Sequence, residues 1–242
     1  MYLEEEAAER CGMKVWFQKQ FDAAMKLNRQ NILDMCPHRV DTLLDLGCDD
    51  GEWSVQVANA AQAKTVQGVE IVPERASAAE ERGIYVTRAD LAANLPLPSA
   101  EIDLVHANQV IEHVADIDLF AAEIFRVLRP GGTVIISTEN GSSWHNLFAM
   151  ALGWQMFSLT NLSERRLGIG NPLALHRGES DHMKTWTHKV IFSYRGLREF
   201  FEAHGFHVQG IRGAGYYPLP AGLGRLDVRH AHFLTLVATR PC

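Results

Sequence analysis

Short apolar runs alternating with amphipathic stretches organise most of this chain. Runs at 42–47, 66–71, 84–88, 102–107 and 133–138 have the length of strands, and 51–61, 73–82 and 117–128 have helical spacing between them. Strands separated by helices of this length predict a parallel, doubly wound sheet. Upstream, Trp16, Phe17, Phe21, Met25, Ile32 and Leu33 recur at helical spacing within 15–35, and Pro37 stops the run. This predicts one or two helices over the sheet edge or over a ligand site. The helix at 117–128 runs into Arg129-Pro130-Gly131-Gly132, a sequence that cannot continue a helix and allows a reversal.

After residue 140 the rhythm breaks. Residues 141–191 are rich in Trp, His, Asn, Ser and Met and read as an insertion rather than a linker. Regularity returns with a helix near 194–204, a strand near 206–212 and a last strand at 232–239. At 242 residues the chain supports one sizeable core. Its net charge of −6 weighs against a broad surface for nucleic acid. Cys11, Cys36, Cys48 and Cys242 form no CxxC pair, which fits a reducing compartment. The first ten residues are acidic, unlike a secretory signal, and the apolar run 147–159 is too short to span a bilayer. A cytoplasmic protein without stable membrane insertion is expected, as a monomer or homodimer.

The chemistry starts at Leu43-Leu44-Asp45-Leu46-Gly47-Cys48-Asp49-Asp50-Gly51, followed by Gly68-Val69-Glu70. A strand running into a glycine turn, then a helix, then a strand ending in an acid is the order of a βαβ unit that grips a nucleoside. The turn lacks Gly-x-Gly-x-x-Gly, and no Gly-Lys-Ser/Thr follows. Both pyrophosphate-binding readings weaken, leaving a nucleoside without one.

With these segments the chain resembles the class I S-adenosylmethionine-dependent methyltransferases, near the subgroup that acts on small molecules and lipids. Asp45, Gly47 and Gly51 match an acid-x-Gly-x-Gly-x-Gly turn, and Glu70 matches the acid after the second strand. Asp90-Leu91, with 95–98 reading Leu-Pro-Leu-Pro, matches the segment after the third strand. The stretches 103–114 and 126–133 match the fourth strand and the segment before the fifth. The resemblance implies a Rossmann-like, seven-stranded α/β sheet with an antiparallel last strand at 232–239. It also implies one domain: N-terminal helices at 1–40, a cofactor-binding half at 41–140, a substrate cap at 141–191 and the rest of the sheet at 192–242. Residues expected near S-adenosylmethionine are Asp45, Gly47, Cys48, Asp49, Gly51, Glu70, Ile71, Asp90, Leu91, Asn108 and Gln109. Glu70 would accept from the ribose hydroxyls and Asp90 from the adenine amino group, with Ile71 against the ring and Asn108 and Gln109 near the reactive methyl. Asp49 stands where the family has its middle glycine; its carboxylate would favour the sulfonium and oppose the cofactor carboxylate.

The acceptor side is read from position. Eight of the eleven histidines lie beyond residue 140, and His145 follows the fifth strand at the end where the methyl is presented. His145 is the first candidate acid/base residue and His113 the second. Trp144, Trp154, Trp186, His182, Tyr216 and Tyr217 are candidate substrate contacts, beside Phe157 and His176. His176, His182 and His188 lack the compact spacing of metal ligands, so no metal is expected. The function implied is methyl transfer to oxygen or nitrogen of a small or medium-sized metabolite. The alternatives are an acceptor that is a membrane-associated lipid or glycan precursor, or a non-catalytic S-adenosylmethionine-binding protein.

Overall fold

The computed structural model describes residues 2–180 and 187–242, with side chains from Val15 onward. Its strands are β1 (Thr42–Leu46), β2 (Thr65–Val69), β3 (Tyr85–Thr87), β4 (Ile102–Asn108), β5 (Leu128–Glu139), β6 (His207–Ala214) and β7 (Phe233–Thr239). They form one sheet in the order β3-β2-β1-β4-β5-β7-β6. β1 to β5 are mutually parallel, and β7 runs antiparallel to both neighbours. The order reverses between β1 and β4, so a crevice opens beyond the carboxyl ends of those strands. The expected sheet and its antiparallel last strand are both present.

Helices α1 (Tyr2–Met35), α2 (Glu52–Ala61), α3 (Pro73–Glu81), α4 (Ile117–Val127), α5 (Trp144–Ala151) and α6 (Tyr194–Ala203) flank the sheet. Successive strand residues point to opposite faces, and both faces are covered, so the central strands read as continuous apolar runs. On one face Leu43, Leu104 and Ile135 pack with Ile32 of α1 and Val57 of α2. On the other, Leu44, Val105 and Ile136 pack with Ile124 of α4 and Phe201 of α6. Local signals start the helices. Asp116 accepts from the Leu119 amide at α4, Ser193 accepts from the Gly196 amide at α6, and Pro73 opens α3.

The structure departs from the sequence reading in four places. α1 reaches back to Tyr2, because the Glu, Ala, Arg and Lys residues of 2–14 favour helix although no apolar stripe marks them. β5 begins at Leu128 opposite Ile102, slips at 129–132 and resumes at Thr133 opposite Leu104. Such a bulge tolerates Pro130, which has no N–H to give to the ladder. A turn of 3-10 helix at Ile111–His113, which the periodicity does not announce, stands before α4. The insertion contains α5 and a 3-10 turn at Phe157–Leu159, which divide the apolar run between them.

One fully buried amide links the layers. Asn28 of α1 accepts from Ser137 Oγ of β5 and Thr235 Oγ1 of β7, both at 2.9 Å. Its Nδ2 donates to Asn108 Oδ1 at the end of β4, at 3.0 Å. Asn28→Ala strands two buried hydroxyls and the half-buried Asn108 amide and should cost about 2–4 kcal/mol. Calorimetry should register a fall in Tm of roughly 5–15 °C; an unchanged Tm would mean that the partners are satisfied without it.

Candidate functional site

Two cavities open at the carboxyl ends of the strands. The larger, of about 600 Å³, follows the β1, β2 and β3 ends. Gly47 and Gly51 make its turn at φ of +73° and +80°, where side chains are disfavoured. A Cβ on Gly47 would come 2.8 Å from Val110 Cγ2, and one on Gly51 would come 2.6 Å from Ile84 Cδ1. The glycines therefore answer to packing beneath the turn as well as to a ligand above it. Glu70 clamps the turn from β2: Oε2 accepts from the Asp49 amide at 3.0 Å and Oε1 from the Val72 amide at 2.8 Å. Asp90 Oδ1 accepts from the Ala92 amide at 2.9 Å. Asp49 sits at φ +49°, and its carboxylate pairs with Arg75 Nε at 3.1 Å. That pairing offsets the repulsion that Asp49 would otherwise direct at an anionic group in the cavity.

Of the residues expected around this cavity, Gly47, Asp49, Glu70, Ile71, Asp90, Leu91 and Gln109 line it. Asp45, Cys48, Gly51 and Asn108 stand behind its wall. Asp45 is buried against Ser54 Oγ at 2.5 Å and His106 Nδ1 at 2.6 Å. Burial pushes the Cys48 thiol up to about 12, reinforced by the charge of Asp45, so the thiol is inert packing. Asn108 is occupied by Asn28. Arg75 and Lys189 bring two cations to the wall that the sequence reading did not single out.

The second cavity, of about 330 Å³, lies between α1, the insertion and the β6–β7 loop. Phe17, Phe21 and Met25 of α1 and Phe157 of the insertion form apolar wall, while Glu112, Glu139 and several histidines supply polar groups. Gln109 and His113 line both cavities. Gln109 is fixed twice to Ser137, by its amide N–H at 2.8 Å and by Nε2 at 3.3 Å. The His113 Nδ1–H donates to the Thr187 carbonyl at 3.2 Å, which puts the basic electron pair on Nε2. His188 does the same toward the Ser158 carbonyl at 2.6 Å, and the two rings meet edge-on at 4.7 Å.

Burial pushes the Glu112 carboxyl up to about 8, helped by the charge of Glu139, so it holds a proton at neutral pH. Burial also raises Glu139, but nearby His232, with His188 and the Ser158 hydroxyl, outweighs it and holds that carboxyl down at about 2. His145 lines the same cavity; burial, then His232, holds its imidazole well below the usual range against the opposing pull of Glu139. Among the described residues, no group of three His, Cys, Asp or Glu side chains is arranged to hold a metal ion.

A family model described as a methyltransferase domain matches residues 17–210. A Mycolicibacterium smegmatis protein named as an S-adenosylmethionine-dependent methyltransferase is 36% identical over 219 residues, which are 89% of this chain and 67% of that protein. The chain belongs to the S-adenosylmethionine-dependent methyltransferases. Over a shorter stretch it is 33% identical to a ubiquinone biosynthesis O-methyltransferase of Mesorhizobium japonicum, across 40% of this chain and 41% of that one. In fold it matches the crystal structure of an S-adenosylmethionine-dependent methyltransferase from Thermotoga maritima. That match has a TM-score of 0.60 at 17% identity and covers 93% of this chain and 94% of the other.

The larger cavity fits the methyltransferase cofactor on its own terms. Each Glu70 oxygen accepts one amide and retains capacity for a second donor, as a ribose diol requires. Ile71 is 55% exposed directly beside Glu70, an apolar surface that a flat ring would cover. Of the residues read as candidates for the acceptor side, His113, His145 and Tyr217 line the second cavity, with Phe157 and His176. Trp144 and Tyr216 do not. Trp144 Nε1 donates to Tyr216 Oη at 2.8 Å, Tyr216 donates to Asp227 at 2.6 Å, and Trp144 stacks on His230, which together form a surface latch. Trp154 meets Phe148 edge-on away from the cavity. His182 and Trp186 lie outside the described residues.

Sequence reasoning missed Glu112, Glu139 and His232, and weighed His188 only as a metal ligand. Glu139 ends β5 as Asn108 ends β4, and the rule that ligands gather at carboxyl ends of strands would have pointed to it. Two outcomes follow for this site. Glu70→Gln should weaken S-adenosylhomocysteine binding at least about tenfold by calorimetry; unchanged affinity would remove Glu70 from the cofactor contacts. Glu112 binds its proton more tightly folded (about 8) than unfolded (4.5), so its stabilisation is complete below pH 4.5 and lost as pH rises to 8. Relative to Glu112→Gln, the native protein should therefore lose stability across that window in denaturant titrations, and parallel profiles would contradict the raised carboxyl.

Proposed function

We propose that the protein transfers the methyl group of S-adenosylmethionine to an oxygen or nitrogen atom of a small or medium-sized metabolite held in the cavity of about 330 Å³. One observation carries the reading: Gln109 and His113 line both cavities, so the two ligands meet beside these side chains. S-adenosylmethionine, when bound, supplies an electrophilic methyl carried on positively charged sulfur.

The chain's own residues supply alignment and proton handling. Gln109, pinned to Ser137, forms a fixed edge between the two sites. His113 Nε2 takes the proton from the acceptor hydroxyl or amine as that atom is alkylated. Phe17, Phe21 and Met25 keep bulk water from the nucleophile. His145, neutral and lining only the acceptor cavity, orients the acceptor, which reverses the order of the two histidines read from sequence. The name of the Mesorhizobium japonicum relative favours oxygen as the atom methylated.

The test is product formation with isotopically labelled S-adenosylmethionine across panels of hydroxyl and amine metabolites. Labelled product is expected, and none from any panel counts against the reading. With a reactive acceptor in hand, His113→Ala should lower kcat about 10²-fold or more while the KM for S-adenosylmethionine stays within about threefold. His145→Ala should act mainly on the acceptor KM. Full turnover in His113→Ala would take the base role away from this residue.

A further inference from the structure

The acceptor cavity has an unusual charge balance for a binding site. One ionised carboxylate, Glu139, lines it beside the protonated Glu112, with His188 and His232 near Glu139, and among the described residues no lysine or arginine does. Glu139 Oε1 lies 3.7 Å from His232 Nε2, and His232 Nδ1 lies 2.8 Å from Tyr217 Oη. Glu139 Oε2 is buried and, among the described residues, no donor meets it with hydrogen-bond geometry, although His232, His188 and the Ser158 hydroxyl stabilise the carboxylate as a whole. A buried carboxylate oxygen without a donor is costly, and a ligand that brings a donor recovers that cost. The nearby walls are aromatic, with Phe17, Phe21, Phe157 and Tyr217, and ring faces attract cations. An anionic acceptor would meet the Glu139 carboxylate where it needs a guanidinium or ammonium group.

We propose that Glu139 is the recognition point for a protonated amine on the methyl acceptor, so that the acceptor is an amine-bearing molecule with an apolar or aromatic body. This rests on the methyltransferase reading above. The ammonium is the anchor and not the reacting atom. Glu139 lies two residues beyond Ser137, the residue that fixes Gln109, which is about 7 Å along the strand. The hydroxyl that receives the methyl therefore lies at the other end of the apolar body, beside Gln109 and His113. Ammonium on Glu139 selects the acceptor and sets its direction; carboxylate- and phosphate-bearing analogues are rejected.

The experiment uses tyramine and 4-hydroxyphenylacetate, similar in shape and opposite in charge, titrated at neutral pH into the full chain saturated with S-adenosylhomocysteine. Tyramine should bind at least about tenfold more tightly than 4-hydroxyphenylacetate. In Glu139→Gln the preference should fall below about threefold while S-adenosylhomocysteine affinity is kept, which also reports that the variant is folded. Glu139→Asp should retain part of the preference if Glu139→Gln fails to fold. Equal binding of the two probes, tighter binding of the anion, or a preference that survives in Glu139→Gln overturns the assignment. Failure of the native chain to bind S-adenosylhomocysteine at all would instead sink the methyltransferase reading on which it rests.

Discussion

The amide of Asn28 sets the geometry on which both cavities depend. It joins α1 to β4, β5 and β7 through Asn108, Ser137 and Thr235, and all four side chains sit where the strands deliver ligands. Through Ser137 it also bears on Gln109, whose backbone is held at φ +57°, in the left-handed region. Phe17, Phe21 and Met25 precede Asn28 by eleven, seven and three residues, so they share its helix face. One face of one helix thus begins as the apolar wall of the acceptor cavity and ends as the polar pin of its floor. A buried amide is costly unless every group finds a partner, and here each does. That cost discourages α1 from docking in any other register.

Electrostatic differentiation follows from the same enclosure. Glu112 and Glu139 feel each other's charge, yet their surroundings drive them apart. Glu112 receives the Thr138 hydroxyl at 2.9 Å and no cation, whereas Glu139 faces His232. One carboxyl stays protonated and the other ionised, so a single cavity offers both a hydrogen-bond donor and an anion. The cofactor cavity handles charge differently. There Asp49 is answered by Arg75 at the rim, where solvent screens both.

Legibility in the sequence tracked how local each determinant is. The strands and helices of 42–139 were readable because periodicity, Pro130 and the glycines act over a few residues. Glu70, Asp90 and Gln109 were readable because a fixed distance from a strand end places them. What escaped depends on distant chain segments meeting. Asp45 reads as a ligand contact until His106 and Ser54 close around it. Trp144 reads as a cavity wall until Asp227 and Tyr216, more than seventy positions away, draw its indole outward. His232 and Glu139 become neighbours only because β7 runs antiparallel and brings its first residues beside the last of β5. The extension of α1 was missed because helix propensity without an apolar stripe leaves no periodic trace.

The two cavities draw on almost separate parts of the chain. The nucleoside side is built from the ends of β1 to β4 and the turns after them, with Thr187 and Lys189 from the end of the insertion, while the second cavity is built mainly from α1, the rest of the insertion and the segment joining β6 to β7. Among the described residues, only Gln109 and His113 belong to both. On the proposed reading, exchange of α1 can therefore redraw what is methylated while the sulfonium donor is held as before. Acceptor choice in this architecture is a replaceable part, and change in it need cross only two positions before it disturbs the chemistry.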